Sequence, residues 1–156
     1  MSPETGWCWP SRASKAHLAA FSDLTRKEVQ KIAIGNPRTV PAGRYAEELL
    51  RKLNLWEPLK DKLIFAENVR QVLDYVVRNE VDAGLVYATD ALIRNKELKM
   101  VLPAPEGSHS PVVYPIAAVK NRKNEKTARA FIAWVNSAEG KRILIRYGFK
   151  TLEDNK

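Results

Sequence analysis

Short unbroken apolar runs alternate along this chain with longer segments whose apolar residues recur every three or four positions. The first run, "KIAIG" (31–35), ends at Gly35, Asn36 and Pro37 and reads as a buried strand entering a turn. "GRYAEELLRKLNL" then sets Tyr45, Leu49, Leu50 and Leu53 on one helical face, with Pro41 just ahead of the first turn. "KLIFA" (62–66) reads as the second strand. In "ENVRQVLDYVVRNE", Val69, Val72, Leu73, Val76 and Val77 fall at i, i+3, i+4, i+7 and i+8, the clearest helical spacing in the chain. "DAGLVYA" (82–88) predicts a third buried strand, and "TDALIRN" a short helix capped by Thr89 or Asp90. Farther on, "LKMVLPAP" and "PVVYPIAAVK" both read as strands. Two closing helices follow: Ala128, Phe131, Ile132 and Val135 make the inward stripe of the first, Ser137 caps the second and Gly148 ends it. Strands and helices in alternation predict an α/β fold with a mostly parallel sheet flanked by helices.

Composition narrows the class further. With 156 residues, 45% of them hydrophobic and 28% charged, the chain can bury one compact core and would be stretched to build two. A single cysteine, Cys8, forms no internal disulfide, and His17 and His109 stand apart from any Cys/His ligand cluster in the sequence. Zinc and redox chemistry are therefore not predicted. No run approaches the roughly 18 apolar residues of a membrane span, and no export signal opens the chain, which as written is expected in the cytoplasm. The net charge of +8 is spread along the helices. Its one concentration, "KNRKNEK" (120–126), lacks interleaved aromatics and any groove-reading motif, so it reads as a solvated face rather than a nucleic-acid surface. Such a charge can still draw a small anion.

Three strand-to-helix junctions carry the candidate chemistry: "GNPRTVPAGRY", "FAENVRQ" and "LVYATDA". In an open α/β sheet, ligands sit beyond the carboxyl ends of the strands, where helix N-termini offer N–H groups without intrahelical partners. Together the three turns can form a cradle of neutral donors for an anion; they can equally be plain connecting loops. None has the spacing of a Walker loop or a dinucleotide fingerprint, and no supported Ser/His/Asp set exists.

Three collinear segments, "IAIGNPRTVPAGRYAEELLRKLNLW", "ENVRQVLDYVVRNEVDAGLVYATDAL" and "PVVYPIAAVKNRKNEKTARAFIAWVNSAEGKRILIRYGF", resemble the second lobe and C-terminal portion of the molybdate-binding proteins of ABC transporters. The resemblance runs over residues 22–150 and is carried by NPxxxPAGxYA, ENVRxxLxYV, DAGxVYxxDA and YPIAxVK. It implies one lobe of a type II periplasmic-binding-protein-like fold, closing over molybdate or tungstate. It also implies no enzymatic activity, no cofactor, a membrane permease of the ABC transporter as partner, and a periplasmic or otherwise extracytoplasmic location. By the same resemblance, this lobe's share of the oxyanion site falls on the backbone N–H of Ala42 in "PAG", that of Val69 in "ENV", and Tyr87 in "LVY". The metal would be reached only through the oxyanion's oxygens. A fully deprotonated tetrahedral dianion only accepts hydrogen bonds, so donors alone suit it. Phosphate, which keeps a proton, would set donor against donor at a cost of about 1–3 kcal/mol per unpaired group. Without the resemblance, Ala42 is an alanine opening a helix, Val69 a core-facing valine, and Tyr87 a buried aromatic whose hydroxyl takes any partner.

The resemblance also implies an export signal and a first lobe whose serine-bearing loops grip the other side of the ligand. This chain begins near the crossing between lobes, where the family carries an apolar strand like Leu-Val-Leu-Ala-Val-Pro. "TGWCWPSRAS" (5–14) stands there instead. Trp and Cys codons begin with TG, and reading Trp7-Cys8-Trp9-Pro10 one nucleotide earlier gives Leu, Val or Met, then Val-Leu-Ala. Residues 1 to about 18 are thus expected to be an out-of-frame reading of the crossing strand, the alternative being a chance match of TG-rich codons.

The expected organisation is an irregular segment 1–20, a second-lobe α/β domain 21–111, a crossing strand with C-terminal helices 112–150 that normally return to the first lobe, and a tail 151–156. Phe131, Ile132, Val135, Ile143 and Leu144 would then fold back, self-associate through the orphaned helices, or expose an apolar patch. Half a cleft predicts weak binding. Two other readings stand beside this one: an intracellular effector-binding or dimerisation module of the same fold, without a helix-turn-helix, and a non-functional remnant.

Overall fold

The computed structural model describes residues 18–99 and 101–151, together with the backbone of residues 2–3 and 7–8. In chain order its elements are β1 (Ser2–Pro3), β2 (Trp7–Cys8), β3 (Ile32–Gly35), α1 (Pro41–Lys52), α2 (Trp56–Leu59), β4 (Leu63–Ala66) and α3 (Val69–Val77), followed by β5 (Ala83–Gly84), β6 (Val86–Tyr87), α4 (Ala88–Ile93), α5 (Glu125–Val135), α6 (Ala138–Arg146) and β7 (Phe149–Lys150). They fall into two units, Thr5–Ser110 and Met1–Glu4 with Pro111–Lys156.

In the larger unit β3 is buried at all four positions and pairs in parallel with β4 on one side and β5 on the other. A strand flanked by neighbours and covered on both faces must be apolar throughout, which is why "IAIG" shows no alternation. Ala33 joins a cluster with Ala66, Val72, Leu73, Val76, Val81, Val86 and Ala91, so α3 covers that face. The pleat sends Ile32 and Ile34 to the opposite face, where α1 packs with Ala46, Leu49 and Leu50 fully buried. The mostly parallel sheet flanked by helices is therefore present, with the order β4-β3-β5. In the outer strand β4 the two middle residues, Ile64 and Phe65, remain exposed.

Polar groups fix where these elements start and stop. Asp82 accepts from the N–H groups of Gln30 (2.7 Å) and Lys31 (2.9 Å), pinning the entry to β3. The Lys62 ammonium donates to the carbonyls of Leu24, Thr25 and Arg26, the last at 2.8 Å, closing a 3-10 turn over Phe21–Thr25. Helices α1 and α3 both end at asparagines in the left-handed region, Asn54 (φ 57°) and Asn79 (φ 60°). The following amides reach back, Leu55 N–H to Leu50 O at 2.7 Å and Glu80 N–H to Tyr75 O at 2.9 Å.

Three expectations need correction. The third strand is broken: Leu85 separates β5 from β6, and β6 leaves the sheet to pair antiparallel with β2, Trp7 opposite Tyr87 and Cys8 opposite Val86. Residues 7–8, like 2–3, are thus extended rather than irregular; the expectation for most of the rest of 1–20 lies outside the described residues. The segments 101–105 and 111–119 form no strand. Pro103, Pro105, Pro111 and Pro115 remove ladder donors, and an extended segment without a neighbour gains no ladder.

In the smaller unit β1 pairs antiparallel with β7, and α5 packs on α6. Ser137 Oγ accepts from Gly140 N–H at the start of α6, and Gly148 (φ 84°) follows its end, as the sequence predicts. The inward stripe of α5 is only partly realised. Ala128, Ile132 and Val135 are half-buried, whereas Phe131 is 56% exposed and stacks on the equally outward Trp134 with ring centroids 6.2 Å apart.

Close approach of α3 to the sheet depends on Gly84, where a Cβ would stand 2.8 Å from both Val72 Cγ1 and Val76 Cγ2. Gly84→Ala is expected to destabilise the fold by about 2 kcal/mol through overpacking. In urea unfolding this reads as a lower midpoint with an unchanged slope.

Candidate functional site

Because β3, β4 and β5 are parallel, their carboxyl ends share one edge of the sheet. Gly35 lies opposite Ala66, and the next residue, Asn36, donates its N–H to Ala66 O at 2.8 Å, tying the two strand exits together. On the other side Leu85 N–H donates to Ala33 O at 3.0 Å, and beyond Leu85 the chain leaves the sheet into β6, which ends at Tyr87. The starts of α1 and α3, with Ala42 and Val69, therefore follow strand exits at this edge, and Tyr87 ends the β6 segment that follows β5.

Ala42 is the second residue of α1 and is buried. Asn36 shapes the turn before it: its side-chain oxygen accepts from Arg38 N–H, and its carbonyl accepts from Thr39 and Val40 N–H. Val40 O then accepts from both Gly43 N–H (2.9 Å) and Arg44 N–H (3.3 Å), while Pro41 has no N–H to give. That leaves Ala42 N–H without a backbone acceptor among the described residues. The glycine of "PAG" has a steric cause. A Cβ at Gly43 would lie 2.1 Å from the carbonyl oxygen of Gly35, so only glycine lets the start of α1 sit against the end of β3.

Val69 is the first residue of α3 and is half-buried. Asn68 caps the helix, its Oδ1 accepting from Gln71 N–H at 2.9 Å. Gln71 Oε1 reaches back to accept from Glu67 N–H at 2.8 Å, and Gln71 Nε2 donates to the Tyr75 hydroxyl at 2.8 Å. Val69 N–H and Arg70 N–H have no acceptor among the described residues. The asparagine and the glutamine three residues later, just ahead of an apolar helical run, are a capping-box signal legible in "ENVRQ".

Tyr87 is half-buried and occupies the position preceding α4 in an extended conformation (φ −68°, ψ 148°). The expected caps Thr89 and Asp90 lie instead within the first turn, because the β2–β6 ladder holds the chain extended as far as Tyr87. Asp90 borders a cavity of about 260 Å³ with Arg70, Leu73, Asp74, Ile93 and Arg94. Burial pushes the Asp90 carboxyl above its ordinary value, and the Arg70 guanidinium partly opposes this. At the far end Arg94 pairs with Asp74 at 2.9 Å and with Glu97, tying α4 to α3 and holding its own proton more firmly. Among the described residues no group of three metal-ligating side chains occurs, and no helix is long and apolar enough to cross a membrane.

A three-stranded parallel sheet flanked by helices, superposing on periplasmic-binding-protein-like structures, defines the fold class. The chain belongs to the bacterial extracellular solute-binding protein family, whose model matches residues 6–150. It is 46% identical over 132 residues to YvgL of Bacillus subtilis, assigned as a substrate-binding lipoprotein of an ABC transporter, covering 85% of this chain and 50% of that one. It is 44% identical over 118 residues to the molybdate-binding protein ModA of Haemophilus influenzae, covering 76% and 46%. A substrate-binding domain from Clostridium difficile assigned to a molybdenum ABC transporter superposes with a TM-score of 0.81 at 37% identity, covering 97% of this chain and 65% of that one. The chain spans about half the length of the curated relatives it matches.

The half-buried Asp90 yields a signed pH dependence. Its folded-state value lies above the ordinary 3.8, so the ionised carboxylate costs stability progressively as the pH rises above 3.8 and in full once the pH exceeds the raised value. Asp90→Asn is expected to raise the melting temperature at pH 7. The advantage should shrink as the pH falls through the raised value and vanish below 3.8, which thermal melts across a pH series would show.

Proposed function

We propose that this chain binds molybdate or tungstate as part of the substrate-binding component of an ABC importer, working outside the cytoplasm with a membrane permease. The observation that carries the reading is the meeting of three strand exits at one sheet edge, where the helices that follow two of them present the backbone N–H groups of Ala42 and Val69 without acceptors among the described residues; we assign Tyr87, at the end of the segment after the third, to the same site. Relatives named as molybdate-binding proteins supply the ligand. Two helix N-termini place partial positive charge at this edge, and the Tyr87 hydroxyl adds a third donor. An oxyanion with no proton of its own can accept from each of them. Residues 21–111 serve as the lobe that carries these donors, and 112–150 as the segment that continues into the opposing one.

Calorimetric titration of the purified chain tests this. Saturable heat is expected with molybdate and tungstate and none with phosphate at matched ionic strength. Tyr87→Phe should weaken molybdate binding about fivefold, the worth of one hydrogen bond. No saturable heat from a folded sample would overturn the reading.

Self-association runs through the outward apolar residues of α5 and α6, Phe131, Trp134, Ile143 and Ile145. Sedimentation velocity should show a concentration-dependent dimer that Trp134→Glu abolishes; a monomer at all concentrations would dismiss this partner.

A further inference from the structure

We infer that Gln71 is a positioning residue that decides which amides of the first turn of α3 are left for the oxyanion; the inference rests on the ligand-binding reading above. A helix start carries several N–H groups with no intrahelical acceptor, and they all compete for whatever acceptor arrives. In α3 that competition is settled in advance by side chains. Gln71 N–H is taken by Asn68 Oδ1 at 2.9 Å, and Glu67 N–H is taken by Gln71 Oε1 at 2.8 Å. Val72 N–H donates to Asn68 O at 3.3 Å. Among the described residues the N–H groups of Asn68, Val69 and Arg70 remain, and within the helix itself that is one adjacent pair, Val69 and Arg70.

The direction of the Gln71 amide is what makes this work. Its two ends are chemically opposite: Oε1 only accepts and Nε2 only donates. Glu67 N–H can only donate and so requires Oε1, which turns Nε2 to the Tyr75 hydroxyl 2.8 Å away; that hydroxyl holds the far end of the amide. Tyr75 itself is half-buried and packed against the core cluster of Val72, Val76 and Ala91, so the reference point for the amide is anchored in the fold. A chain of contacts thus runs from the core, through Tyr75 and Gln71, to the turn between β4 and α3. Without Gln71, Glu67 N–H becomes an additional free donor two residues before Val69, and the turn loses its tie to the helix.

The experiment is a titration of the uniformly nitrogen-15-labelled full chain with sodium molybdate, read in amide proton–nitrogen spectra. In the wild type the Val69 and Arg70 amide signals should move on saturation, and those of Glu67 and Gln71 should stay. In Gln71→Leu the affinity should fall about fivefold, and Glu67 should join the amides that move. Gln71→Glu supplies a carboxylate that accepts from both Glu67 N–H and the Tyr75 hydroxyl. It should restore the wild-type pattern of responding amides even as its charge weakens binding, a rescue that a merely structural role would not produce. If Gln71→Leu fails to fold, Tyr75→Phe carries the test, since phenylalanine gives Nε2 no acceptor and Glu67 should again respond. A wild type in which no amide responds to molybdate would overturn the ligand reading and this inference together. A wild type that responds at Val69 and Arg70, with Gln71→Leu unchanged in pattern and affinity, would overturn this inference alone.

Discussion

Parallel pairing on both sides of β3 is the constraint from which the rest of the larger unit follows. A parallel neighbour cannot be reached by a hairpin, so the chain must cross back over the sheet each time, and α1 and α3 are those crossings. Each crossing begins where its strand ended. The helix starts are therefore brought to one edge by connectivity, before any side chain is chosen for binding. The side chains then do a narrower job. Gly43 admits α1 to close range of Gly35, and Gly84 admits α3 to close range of the sheet. The Asn36 bond to Ala66 holds two exits together.

Much of this unit was legible in the sequence because its apolar spacing is unambiguous. "KIAIG", "KLIFA" and the valine-rich helix at 69–77 appear where the pattern puts them; the first strand and the helix bury their apolar faces, and "KLIFA" is held by its pairing with β3 although only Leu63 and Ala66 are buried. The junctions that hold Ala42, Val69 and Tyr87 were legible as strand-to-helix turns, but the choice of those three residues came from family resemblance. Composition does not single out a backbone N–H. The bonding of Gln71 is the reverse case, written locally as Asn68 and a glutamine three positions on, yet informative only once Tyr75 is seen beside it.

What the pattern misjudged shares one cause: an apolar run states that a segment needs a neighbour and does not say that one is present. "PVVYPIAAVK" has strand composition but no ladder, and Val113, Tyr114, Ile116 and Val119 stay exposed. Phe131 belongs to a helical stripe, yet the face it lies on is open. Conversely, Trp7 and Cys8, which read as misplaced, find an extended partner in Val86 and Tyr87. Local sequence sets propensity, and tertiary pairing decides whether it is used.

The outer strand β4 has a bearing on how the protein behaves in concentrated solution. Its outward backbone edge is a template onto which another extended chain can add, and Ile64 with Phe65 makes that edge attractive. Two features blunt it: the strand is only four residues long, and it is preceded directly by Lys60, Asp61 and Lys62. Charges flanking a short apolar strand act as gatekeepers against stacking between molecules. Lys62 is thus placed to serve twice, fastening a turn within its own molecule while discouraging neighbouring molecules from continuing the sheet.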